Sequence, residues 1–162
     1  MILVIVAIAI TSCNNDKQNL STSFDNLQKE SDSLLQVHSK LKNHHNMHKD
    51  AYKGLTERMA GATLQDSSWL EILANQEVLL KSHEAEVLKI EQLLTGHSEV
   101  KAGFQALTVE EMQAQIDAMT ADLEEIKNSQ SMLSADHEKL AKEISQIEEG
   151  FKKQELNANI KQ

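Results

Sequence analysis

Apolar side chains return at alternating steps of three and four along three separate stretches of this chain. The first series is Phe24, Leu27, Ser31, Leu34, His38, Leu41, His45, His48, Tyr52, Leu55 and Met59, with a serine and three histidines in places that the period assigns to an inner face. It is the a/d seam of a heptad pattern held over about five repeats. A second series runs through Trp69, Leu73, Gln76, Leu80, His83, Val87, Ile90 and Leu94. The third and longest comprises Val109, Met112, Ile116, Met119, Leu123, Ile126, Gln130, Leu133, His137, Leu140, Ile144, Ile147 and Phe151. Punctuation agrees with the period. Ser21 or Ser23 can cap the first stretch, and Gly61-Ala62-Thr63 with Asp66-Ser67-Ser68 interrupts it. Ser68 with Glu71, and Thr108 with Glu111, have capping-box spacing, while Thr95-Gly96 has the composition of a C-terminal stop. The pattern predicts helices over residues 21–60, 68–95 and 108–155, a looser connection over 97–107 containing one helical turn, and a tail over 157–162.

The residues beside the seams decide how such helices associate. Ile72, Leu79, Leu93 and Val100 make a second stripe on the middle helix, Val37 and Ala51 widen the first, and Thr120, Ser134 and Ala141 flank the third with small groups. Wide apolar faces belong to helices that pack on two neighbours, whereas a two-stranded zipper puts complementary charges there. Connections of about 8 and 12 residues make consecutive helices antiparallel. The expected fold is therefore all-α, an antiparallel up-down-up three-helix bundle with coiled-coil-like heptad packing over residues 21–156. Its third helix is expected to overhang the first hairpin, leaving Ile147 and Phe151 to be covered by a protein partner or a second copy of the chain. Levels follow from folding the hairpins about residues ~63 and ~102. They put His45, His48 and His83 in one polar layer and Gln76 beside Gln130.

Composition narrows the alternatives. The 162 residues include five Gly and no Pro, where average usage supplies roughly 11 and 8, so turn-rich β architectures are excluded. One Cys excludes an intramolecular disulfide framework and any cysteine-rich metal site. A net charge of −9, with Arg58 the lone arginine, argues against nucleic acid or an anionic lipid surface as the partner.

The first segment stands apart from the helical pattern. Met1 to Ile10 is an unbroken apolar run followed by Thr11, Ser12 and Cys13, and the chain turns polar at Asn14. As a helix, residues 1–12 reach roughly 18 Å, short of the ~30 Å hydrocarbon core, and the apolar run has the length of a signal-peptide apolar region. Ile10-Thr11-Ser12-Cys13 resembles the lipobox of bacterial lipoproteins. The resemblance implies a signal peptide over residues 1–12, cleavage before Cys13, a lipid on its sulfur and a polar tether over 13–20. It also implies attachment to a membrane of the bacterial cell envelope, with Asn14 after the cysteine favouring the outer membrane.

Histidines supply the candidate chemistry. His38, His45, His48, His83, His97 and His137 fall on the seams or their continuation, and His44 lies beside one. Buried polar residues at a and d positions fix register and helix number, which is the plainer reading. The functional reading is a zinc, copper or nickel site with His45, His48 and His83 as ligands, His44 as an alternate, and Met47 added if the ion is soft copper. A third reading is a core that loosens on acidification.

No catalytic residues are expected. His44-His45-Asn46-Met47-His48 lacks the glutamate of a zincin helix, and pairs such as Glu110-Glu111, Glu124-Glu125 and Glu148-Glu149 sit on polar faces. The sequence thus points to a lipid-anchored helical interaction module of the envelope. The alternative is a periplasmic or surface metal-binding protein.

Overall fold

A computed structural model describes the backbone over residues 5–60 and 68–160 and the side chains over 15–60, 69–154 and 156. The three heptad series form three helices, α1 (Ile5–Ala60), α2 (Ser68–Val100) and α3 (Val109–Ile160). They pack against one another, with a single 3₁₀ turn at Phe104–Ala106 ahead of α3. Among the described residues there is no strand, and no helix is long and apolar enough to cross a membrane. Cys13, the lipobox and the Ser68 cap lie outside the described side chains.

Burial follows the period closely. Every seam position of α3 from Met112 to Phe151 is buried, as are Leu73, Gln76, Leu80, His83, Val87, Ile90 and Leu94 of α2. The Thr108–Glu111 box also forms. Thr108 N–H donates to Glu111 Oε2 at 2.8 Å and Glu111 N–H donates to Thr108 Oγ1 at 3.3 Å, which satisfies donors that the first turn leaves over.

Several boundaries differ from the sequence expectation. α1 continues through residues 13–20, where a tether was expected, so Ser21 and Ser23 lie inside a helix and not at a cap. Lys17 Nζ donates to the Leu107 carbonyl at 2.8 Å and Leu20 packs into a core, which explains why those residues stay helical. α2 runs past Thr95-Gly96 to Val100 because Leu94 and His97 keep a buried face going. Val37 is exposed, as are Thr120, Ser134 and Ala141, so they do not widen the packed faces.

The chain divides into two compact units, each drawing a segment from all three helices. One comprises Met1–His38 and Lys89–Ser129. Its core is Phe24, Phe104, Met112, Ile116, Met119 and Leu123, with Phe24 stacked on Phe104 at a centroid distance of 3.8 Å. Phe104 belongs to no periodic series and arrives by way of the 3₁₀ turn. Gln28, also off the seam, donates from Nε2 to the His97 carbonyl at 2.7 Å, one of the acceptors that the last turn of α2 leaves without a helical partner.

The other unit comprises Ser39–Leu88 and Gln130–Gln162. Leu55, Met59, Leu73, Ile147 and Phe151 form its apolar cluster, joined by Tyr52, Trp69 and Ile72. Ile147 is 1% and Phe151 4% exposed, and the Arg58 guanidinium lies 5.0 Å from the Phe151 ring centroid. These two residues are therefore not an open face awaiting a partner. α3 does not overhang at Phe151, because the cluster of α1 and α2 residues reaches its level.

Candidate metal centre

In the second unit α1 supplies His45, α2 His83 and α3 His137, all on seam positions and all buried. One ring nitrogen from each lies within 4.8 Å of the others. The ring centroids are 6.3 Å apart for His45–His83, 6.1 Å for His45–His137 and 5.3 Å for His83–His137. Zinc bound tetrahedrally at about 2.1 Å separates its nitrogens by roughly 3.4 Å, so the imidazoles need to draw in by at most about 1.4 Å. Such a movement lies within small χ rotations of three rings projecting from parallel faces.

Both nitrogens of His45, both of His137 and Nδ1 of His83 are buried without a hydrogen-bond partner. A neutral imidazole carries one donor and one acceptor, and each buried group left unmade costs about 1–3 kcal/mol. Nε2 of His83 is within 3.0 Å of Asp136 Oδ2. An N–H donated there leaves the Nδ1 lone pair facing inward, as when a carboxylate behind a metal-bound histidine fixes its tautomer and raises its basicity.

Electrostatics favour the neutral, ligating form of His45 and His137. Burial, followed by the repulsion of His48, His83, His45 and His44, pushes the His137 imidazole down to about 4. His45 is lowered chiefly by burial and then by Lys49 and His83, and His48 by burial, then His44 and His83. Neutral imidazoles with free lone pairs are what a transition metal binds.

The first unit contains a buried histidine of the opposite kind. His97 Nδ1 lies 3.2 Å from Ser31 Oγ and His97 Nε2 lies 3.3 Å from Asp122 Oδ2. Although serine, histidine and aspartate also make hydrolytic triads, Ser31 is itself buried and presents no open face to a substrate. The contacts satisfy both nitrogens of a core histidine.

The buried group of histidines differs from the set expected from sequence. His45 and His83 come together as expected. His48 is half-buried beside His137, at 5.1 Å between centroids, and His44 is exposed at 6.4 Å, so neither is in the inner group. His137 replaces them, and Asp136 is the carboxylate that the sequence reading lacked. The expected level of α2 against α3 was wrong. Gln76 donates to Glu143 Oε2 at 3.2 Å, not to Gln130, and His83 meets Asp136. Both pairs put the fold of that hairpin later than residue 102, because α2 runs on to Val100 and the 3₁₀ turn follows it.

No family model matches the chain, and neither curated proteins nor solved structures give a match.

Proposed function

We propose that this chain is a lipid-anchored helical protein of the bacterial envelope that binds one transition-metal ion between His45, His83 and His137. What supports the metal reading above all is the convergence of three buried imidazoles, one from each helix, with a ring nitrogen of each within 4.8 Å of the others. A core histidine placed only to fix register can be satisfied, as His97 is by Ser31 and Asp122. Three imidazoles and an open fourth position suit zinc, copper or nickel. Membrane attachment rests on the lipobox resemblance at Ile10-Thr11-Ser12-Cys13. The up-down-up order of the helices belongs to the same reading, supported by the pairing of His83 with Asp136 and of Lys49 with Glu84.

Titration of the full-length, tag-free chain with zinc, copper and nickel tests the site. The expected result is one ion per chain, bound more tightly than micromolar, with His137→Ala abolishing that capacity. No binding tighter than micromolar by any of the three ions leaves the histidines with a register role alone. For the anchor, Cys13→Ser is expected to move the protein from the membrane fraction of a bacterial host and to end its labelling by fatty acid. Unchanged labelling removes that part of the reading.

A further inference from the structure

Beside the buried imidazoles, on the outer side of His137, runs a groove of about 320 Å³ lined by His44, Met47, His48, Ser134, Glu138 and Ala141. Its α3 wall is low because the residues three before and four after His137 are a serine and an alanine. Across it, α1 places His44 and His48 four apart on one face, with Met47 67% exposed among them. His137 belongs to both the groove and the inner group, and the other two inner imidazoles are buried behind it.

We propose that this groove is the loading port of the metal site, and that His44, Met47 and His48 form an outer capture set that passes a cuprous ion to His137. The proposal rests on the three-imidazole reading above and adds a route and an ion. A thioether contributes little to binding zinc or nickel but is a good ligand for Cu(I), and imidazoles complete a two- or three-coordinate cuprous site. Glu138 on the rim and the net charge of −9 draw a cation toward it. His48 has its ring 5.1 Å from that of His137, so the ion changes partners by exchanging one ligand at a time without leaving the groove. No electron is transferred, and the copper enters and rests as Cu(I).

The test follows anaerobic transfer of Cu(I) from a chromophoric cuprous chelator to the full-length chain by stopped-flow absorbance, with zinc loading measured in parallel. Met47→Leu and His44→Ala are expected to slow Cu(I) loading at least tenfold while the final stoichiometry stays at one ion per chain. Met47→Leu is expected to leave zinc loading within twofold, and Ala141→Leu, which fills the groove and removes no ligand, to slow both ions. Met132→Leu, an exposed methionine away from the groove, is the control and is expected to load like the parent. Parent-like Cu(I) loading in Met47→Leu, His44→Ala and Ala141→Leu, with capacity still lost in His137→Ala, overturns the port and leaves the inner site standing. If the parent takes up zinc but no Cu(I), the cuprous port falls and the inner site stands, whereas uptake of neither ion, or full capacity in His137→Ala, brings down the inner site and the port with it.

Discussion

Asp136 is a half-buried carboxylate whose role is set by one contact, the 3.0 Å approach of His83 Nε2. If it orients His83 for a metal, Asp136→Asn keeps an oxygen acceptor but removes the charge behind the ring. Loss of such a partner weakens metal binding by about 10–100-fold. Competition titration is expected to show that loss in Asp136→Asn and none in Asp122→Asn, whose carboxylate serves His97 in the other unit. Equal affinities in the two variants would mean that Asp136 only satisfies a donor. Legibility at this scale was uneven. The burial of His45, His83 and His137 was readable from the period, whereas Asp136 was not, because it lies one position off the seam and gains its importance from a residue 53 positions away.

Within the helices, two glycines face opposite surroundings at the same backbone conformation. A Cβ built on Gly96 meets nothing within 4 Å, and among the described residues no glycine has positive φ. Gly96→Ala is therefore expected to stabilise α2 by about 0.5–1 kcal/mol, the ordinary helix preference for alanine. At Gly150 the same Cβ falls 2.6 Å from the Trp69 ring, too close for the indole to stay. Gly150→Ala gains the same helix preference but displaces a bulky side chain from a packed cluster, which costs about 1–3 kcal/mol. Chemical denaturation is expected to show a net loss of about 1 kcal/mol in this variant, with red-shifted emission from Trp69, the lone tryptophan. Thr95-Gly96 looked like a stop for the same local reason that makes Gly96 improvable. Tertiary burial of Leu94 and His97 overrides a weak propensity.

For the whole chain, the buried imidazoles make folding sensitive to acid. His45, His48 and His137 are all lowered in the folded state, so the unfolded chain takes up protons first as pH falls. Stability is complete above the ordinary histidine value near 6.5 and is lost as pH drops from there toward about 4, where His137 finally protonates. A shift of that size at one site corresponds to roughly 3 kcal/mol. The groups facing the cluster act in both directions, with Lys49 opposing its protonation and Glu84 favouring it, while Asp136 pairs with His83. Metal-free protein is expected to melt at least several degrees lower at pH 4.5 than at pH 7.5, and a saturating ion to raise the melting temperature at pH 7.5 more than at pH 4.5, since protons compete for the same lone pairs. Equal melting temperatures at the two pH values would show that the rings already have partners that discharge the cost of burial.

The sequence by itself determined the helices, the inward face of each and the presence of histidines in that face, because a 3.6-residue period records the direction of a side chain around the axis. It also carried the lipobox resemblance, which depends on adjacent residues alone. Only the tertiary structure decided which histidines meet. A helix that slides along its neighbour by a whole heptad keeps the same seam, so period alone leaves the level open. In the unit that holds them, that level is set by Trp69 seated over Gly150, by Gln76 with Glu143 and by His83 with Asp136. Those contacts join residues far apart in the chain, and they brought His137, rather than His48, into the group with His45 and His83.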